Sequence, residues 1–462
     1  MRNPRVGCVV GGFLSLVLSL SAQTFTTLHS FDDTDGFEPY AGLVQATNGS
    51  LYGATVTGGG GGRGTVFKIT TSGKLTTLYT FCHCYDYGPI AVLVQATNGN
   101  LYGTIPGGLY DDGWVFKITL GGKLTTLHSF DGTDGAAPIA ALIQATNGDL
   151  YGTTSSGGAS GKGCGGFGCG TIFKTTPSGK LTTLYSFGGT DGANPAAALV
   201  QDTNGNFYGT TPNGGAYGAG TILQISPSGK LTTLYSFGGT DGANPAAALV
   251  QDTNGNFYGT TPNGGAYGAG TIFQITPSGK LTTLHSFDGT DGAAPIAALI
   301  QATNGDLYGT TSNGGSGSCT YGCGTVFKIT LSGKLTTLHG FGGTDGTNPA
   351  AALVQDTNGN FYGTTPSGGG YGAGTVFSLS VGLGPFVETQ PTSGKVGAAV
   401  KILGTDLKGT TSVTFNGTAA KFTVVSKSEI KTTVPKGATT GKVKVKTPKG
   451  TLKSNVVFRV KS

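Results

Sequence analysis

Seven aspartates in this chain could do chemistry by type and spacing. Asp35, Asp86, Asp134, Asp191, Asp241, Asp291 and Asp345 recur once per unit, mostly in the run T-D-G-x-x-P. A ring of carboxylates would suit Ca²⁺, which favours oxygen ligands. Asp32, Asp33 and Asp35 in DDTDG have the spacing of part of a calcium loop, without the distal glutamate of an EF-hand. Asp-Gly is also an ordinary turn former, and turn-making is the favoured reading of these residues. No cofactor is otherwise expected. Two carboxylates facing each other across an opening would serve a glycoside hydrolase or lyase, an enzymatic alternative that the sequence leaves standing. The motifs H-E-x-x-H, G-x-S-x-G and Walker A are missing. GCGGFG at 163–168 satisfies G-x-G-x-x-G, but no helical pattern follows it.

Cysteine is the other reactive type. Beyond Cys8 there are six, in local pairs: Cys82 with Cys84, Cys164 with Cys169, Cys319 with Cys323. Six allow fifteen connectivities, and loop-stapling disulfides are the expected state outside the cytoplasm. The paired spacing of a four-ligand zinc site is not present. His29, His128, His285 and His339 stand where other copies of L-H-S-F carry tyrosine, which points to one slot that accepts either ring.

The elements that position these residues are repeats. QDTNGNFYGTT stands at 201–211, 251–261 and 355–365, with four edited copies elsewhere. The tyrosines Tyr52, Tyr102, Tyr151, Tyr208, Tyr258, Tyr308 and Tyr362 mark seven units. Each unit holds four strand-like runs; in the fourth they are AAALVQ, NFYGTT, GTILQIS and KLTTLYSF. Asn204-Gly205 predicts a tight hairpin with positive φ at both residues. Glycine makes up 86 of 462 residues, far above the usual ~7%, and the many strand formers between the glycines imply tight turns rather than disorder. Four antiparallel strands repeated seven times predict an all-β, seven-bladed β-propeller. The run TFTTLHSF at 24–31 matches a fourth strand, and GTVFSLS at 374–380 matches a third. The first strand should therefore close the last blade and cover its edge. The repeated tyrosine is then expected to pack between blades.

The runs GTVFKIT, LTTLxSF, TDGxxPxAxLVQ and NGNFYGTT resemble the GloVer tandem repeat of secreted and surface-sorted bacterial proteins. The resemblance covers about 24–380 and implies an extracellular, repeat-built protein with no established enzymatic activity. From 382 to 462 the pattern changes to short alternating strands that fit a small β-sandwich. Gly397, Val400, Ile402, Gly404, Val413, Phe415, Gly417, Ile430, Val434, Pro435 and Gly441 resemble the pattern of an IPT/TIG domain, an immunoglobulin-like fold.

Arg2 and Arg5, an apolar run and a small-residue site near Ala22 read as a signal peptide over 1–22. The remainder divides into a propeller at 23–381 and a sandwich at 382–462. No later stretch reaches roughly 18 apolar residues, so no transmembrane segment is expected in the mature chain. The expected product is a secreted or cell-surface monomer. Charge follows the same boundary: 12 basic against 19 acidic residues at 23–382, and 14 against 3 at 383–462. Lysines on alternate strand positions keep a sandwich soluble, or hold it to an anionic envelope polymer. Nucleic acid is not an expected partner, since Lys without Arg or aromatics reads no bases.

Turns of the type TNG and SGK should cover one side of the disc and variable loops the other. The ligand is expected on the variable side, at Tyr110, Asp111, Asp112 and Trp114, with extracellular polysaccharide the favoured class. The overall expectation is a non-enzymatic adhesion or binding protein.

Overall fold

The computed structural model describes residues 23–81, 88–107, 112–159, 164 and 166–461; the expected signal segment lies outside them. Seven four-stranded antiparallel sheets follow one another through the first part of the chain. In the fourth, the strands are Val200–Gln201, Phe207–Thr211, Thr221–Ile225 and Leu231–Ser236. The seventh sheet takes Val354–Gln355, Phe361–Thr365 and Thr375–Ser380 from the end of the repeats and Thr24–Ser30 from their beginning. Thr24 pairs with Ser380 and Ser30 with Thr375, so the first strand closes the last blade, as its sequence predicted. Phe25 carries apolar surface into that seam, stacking on His339 at 3.7 Å and lying 5.2 Å from Phe377.

Second and third strands are buried on both faces because each blade is sandwiched by its neighbours, whereas fourth strands face water at the rim. The repeated tyrosines are at most 2% exposed. Tyr151 lies 4.1 Å from Phe207 of the next blade, and Tyr208 4.1 Å from Phe257. The glycine after the tyrosine makes room for the ring on the next strand of its own blade: a Cβ on Gly259 would meet the Phe273 ring at 2.5 Å.

Two local expectations are corrected. The TNG hairpin has positive φ at Gly205 alone, not at Asn204. Gly205 N donates to Asp202 O at 3.2 Å, and Asp202 Oδ1 accepts from Asn204 N at 2.8 Å and Asn206 N at 2.9 Å. The carboxylate thus fastens a three-residue loop in which only glycine enters the left-handed region. The first strand is also much shorter than AAALVQ. Its alanine carbonyls bond outward to the preceding blade instead: Thr210 Oγ1 donates to Ala247 O at 3.0 Å, and Thr364 Oγ1 to Ala41 O at 3.1 Å.

A belt of glutamines runs beside these alanines. Gln95 Oε1 accepts from Thr47 N, Gln144 Oε1 from Thr97 N and Gln201 Oε1 from Thr146 N, each one blade away. Gln45 completes the belt across the seam, accepting from Thr357 N at 3.0 Å and donating to Asp356 Oδ2 at 2.7 Å.

After the repeats, two four-stranded sheets enclose a core that includes Val400, Ile402, Val413, Phe415, Ile430, Val443 and Phe458. One sheet holds Val387–Gln390, Ala399–Gly404, Glu429–Thr433 and Phe422–Val424. Its outer face lies on the plain side of the disc. Gln390 Nε2 donates to Gln95 O at 2.7 Å, Lys401 Nζ to Thr97 O at 3.1 Å and Ser428 Oγ to Thr47 O at 3.1 Å. Two carboxyls meet there: burial, reinforced by Asp356, pushes Glu388 up to about 7, and burial pushes Asp356 up to about 6. The other sheet holds Thr418–Ala419, Ser412–Phe415, Val443–Thr447 and Gly450–Lys453.

Candidate ligand-binding face

Short bridges tie the two loop families into one surface. Ala193 pairs with Asn213, Ala243 with Asn263, and Thr347 with Ser367, in each case a fourth-to-first loop with the second-to-third loop of the blade that follows it. Both families therefore open on the side away from the sandwich.

The aspartates hold these loops together. Asp35 Oδ2 takes His29 Nε2 at 2.6 Å while its Oδ1 accepts from Asp32 N at 3.3 Å. Asp134 and Asp291 hold His128 and His285 at 2.6 Å, and Asp345 holds His339 at 2.8 Å. Where the ring is tyrosine, the phenol donates: Tyr185 to Asp191, and Tyr235 to Asp241 at 2.5 Å. Burial and then the aspartate push both phenols up to about 12, so they stay protonated as donors. His and Tyr thus share one slot because either presents an N–H or O–H to the same carboxylate.

The expected calcium loop is part of this arrangement. Asp32 Oδ1 accepts from Thr34 N and Thr34 Oγ1, and the Thr34 hydroxyl holds the Asp32 carboxyl below its ordinary range. Asp131 and Asp288 accept from Thr133 and Thr290 in the same manner. Among the described residues no group of three or more His, Cys, Asp or Glu is placed to hold a metal. These oxygens close turns.

At the centre of the loop face lies a cavity of about 710 Å³. The residue after the loop proline supplies part of its wall in four blades: Tyr40, Ile90, Ile296 and Ala350. Val56, Pro106, Ala136 and Ala137 add apolar surface, with Ser156 and Asp112 as polar groups. Asp112 is the one carboxylate among the described lining residues. Ala137 and Ala294, each preceding a loop proline, are held at φ 52° and 51°; Asn194, Asn244 and Asn348 occupy the same place at 57–59°. Asparagine tolerates this region better and bonds back across the blade junction: Asn244 Nδ2 donates to Pro212 O at 2.8 Å.

Of the residues expected to bind ligand, Asp112 reaches the cavity. Tyr110 and Asp111 lie outside the described residues, as do Asp86, Cys82 and Cys84. Trp114 is placed differently from the expectation: it is 5% exposed and packs with Phe81 and Phe116. WVFKI aligns with TVFKI of other blades, so its first residue occupies a position that is buried in each blade. The disulfides Cys164–Cys169 and Cys319–Cys323 form as the local pairs suggested, each closing a rim loop.

The sequence reading missed a second set of rings. Phe167, Tyr217, Tyr267, Tyr321 and Tyr371 are 70–82% exposed, one in the second-to-third loop of each of blades three to seven. The signal was there: an aromatic in G-G-A-Y-G-A-G has no alternating apolar neighbours to bury it with. Tyr40, 43% exposed at the cavity, belongs with them.

The fold is that of a β-propeller followed by an immunoglobulin-like sandwich. The chain belongs to the Gloeobacter/Verrucomicrobia repeat family, whose model matches residues 15–165, 107–321, 164–377 and 297–404. An IPT/TIG domain matches 386–460. A search of curated proteins found no relative. Among solved structures, the chain resembles the extracellular domain of what is described as a hybrid two-component system from Bacteroides thetaiotaomicron. The TM-score is 0.52 at 12% identity, over 94% of this chain and 57% of that one. A gluconolactonase from Xanthomonas campestris aligns at TM-score 0.41 and 12% identity, over 80% and 93% of the two chains. A protein from Bacteroides fragilis described as a 6-phosphogluconolactonase aligns at 0.45 and 15%, over 85% and 95%. At these identities the first likeness shows fold alone, and the two lactonases carry no argument about chemistry. Disulfides fit an oxidising compartment outside the cytoplasm.

Proposed function

We propose that this is an exported, non-catalytic binding protein whose loop face holds a polysaccharide. One observation carries the reading: large aromatic rings stand in water at equivalent places on successive blades, all on one side. Scattered exposed apolar residues are ordinary, but an ordered row of them marks a contact surface. An aromatic ring offers a flat apolar face to the C–H face of a sugar, and the glycines around it leave that face open. Repetition then suits a polymer, because one chain crossing several platforms binds with high effective concentration after the first contact. The central cavity, with Tyr40 on its wall and Asp112 and Ser156 as hydrogen-bonding groups, would take a sugar residue or branch. Export is supported by the basic and apolar start of the chain together with the disulfides.

The test is affinity electrophoresis through neutral polysaccharides such as glucan, xylan and mannan. At least one should retard the protein, and the quadruple variant Y217A/Y267A/Y321A/Y371A should run as in a blank gel with its melting temperature unchanged. Equal retardation of the variant would remove the proposal. Release of reducing ends from the bound polymer would replace it with the enzymatic one.

A further inference from the structure

The sandwich docks with one sheet and turns the other away. On the docked sheet, Glu388 meets Asp356 and Gln390 and Lys401 reach the propeller turns, so that face is occupied. The opposite sheet exposes Lys444 and Lys446 on Val443–Thr447 and Lys453 on Gly450–Lys453. Their strand mates Val443, Val445 and Leu452 point into the core, which fixes the lysines on the outer face.

Register places Lys444 directly opposite Lys453. Like charges in that position repel and destabilise a sheet. Thr414 lies opposite Lys444 on the other side, and Ser412 and Thr451 flank Lys446. The three lysines thus stand among hydroxyls, and no strand of this sheet contains Asp or Glu. Among the described residues none of the three has an ion-pair partner. The three acids of the module lie elsewhere. Glu388 and Glu429 are on the docked sheet, and Asp406 holds Lys449 at 2.7 Å. Solubility alone would be served as well by mixed charges. A single-sign field set with hydroxyls is complementary to a repeating anion.

We infer that the outer face of the sheet built from Ser412–Phe415, Val443–Thr447 and Gly450–Lys453 binds a linear anionic polysaccharide. Alternate residues along a strand stand about 7 Å apart and cross-strand neighbours about 5 Å, spacings that match charges repeating along an extended chain. Recognition is electrostatic and therefore salt-dependent. The site is separate from the aromatic face, so the protein bridges two polymers or holds one while anchored to another.

The experiment measures binding of the full chain to polygalacturonate, with dextran as the neutral control. The triple variant K444Q/K446Q/K453Q is compared with K74Q/K123Q/K334Q, which removes three exposed lysines from the propeller turns. The first should lose roughly 100-fold in affinity at low salt, each lysine contributing about fivefold, and the second under threefold. Wild-type binding should fall steeply with added salt. Because K453Q relieves the repulsion at Lys444, the first variant should melt no lower than wild type, which separates lost binding from lost folding. Equal losses in the two variants, binding of dextran as tightly as polygalacturonate, or binding to anionic lipid vesicles without polygalacturonate would each overturn the inference. The polysaccharide-face variant, tested alongside, should keep its polygalacturonate affinity.

Discussion

The two sides of the disc are made from one repeat and put it to opposite use. On the plain side the TNG turns present the same carbonyls in every blade, and the sandwich bonds to three of these turns, at Thr47, Thr97 and Thr357. Main-chain carbonyls there accept from a hydroxyl, an ammonium and a main-chain amide of the sandwich, and two carboxyls are taken out of water. On the loop side, the scaffold is fixed by Asp–His and Asp–Tyr pairs, and the variable residues are left facing solvent. Monotony on the plain side suits assembly, because a partner surface needs one geometry. Changes on the plain side should therefore alter stability and leave binding intact, and changes on the loop side should do the reverse.

The largest effect is expected at the docked carboxyls. Glu388 and Asp356 carry pKa values of about 7 and about 6, above ordinary values of 4.5 and 3.8. The folded protein therefore binds more protons than the unfolded chain between those limits. Stability is full below about pH 4 and declines as pH rises through 6 and 7. Denaturant unfolding at pH 5 and pH 8 should differ by about 4 kcal/mol, and E388Q should remove much of that difference. An unchanged pH slope in E388Q would mean that these carboxyls are not what the docked surface responds to. Next comes the seam. Q45A removes the bonds to Thr357 N and Asp356 Oδ2 and should cost about 2 kcal/mol, with polysaccharide retardation unaffected. On the loop side Y267A should weaken polysaccharide binding by about 1 kcal/mol and leave the melting temperature alone. A drop in melting temperature would show the ring to be structural and break the contrast. The smallest effect is a gain. A294N places asparagine where other blades carry it and should stabilise by up to about 1 kcal/mol, read from the thermal midpoint.

How much of this was legible in the sequence depended on whether a residue acts within its own repeat. Strand count and the returning strand at Thr24 were readable because each unit repeats the same alternation and the two chain ends supply complementary fragments. The tyrosines of N-F-Y-G-T-T could be assigned to packing for the same reason. Trp114 was misplaced because its rarity and its glycine-rich approach outweighed its alignment with Thr65 and Thr171, which lie buried in their own strands. The shortened first strand, the glutamine belt and the docking of the sandwich depend on contacts between units. Gln45 and Thr357 stand more than 300 residues apart, and no local pattern announces their meeting. The exposed tyrosines were visible as isolated aromatics among glycines, but whether such a ring is buried is decided by a neighbouring blade.

The returning strand also sets an order of events. Thr24–Ser30 is synthesised before any blade it could join, and its partner Thr375–Ser380 follows only after the whole array has been made. Until then Phe25 has no Phe377 to cover it, and the seventh sheet presents an open border. Closing a loop of that length is slow relative to hairpin formation. The individual sheets should thus be largely assembled while the circle is still broken, and the vulnerable interval for strand-swapped pairing between molecules ends with the final contact rather than with the first.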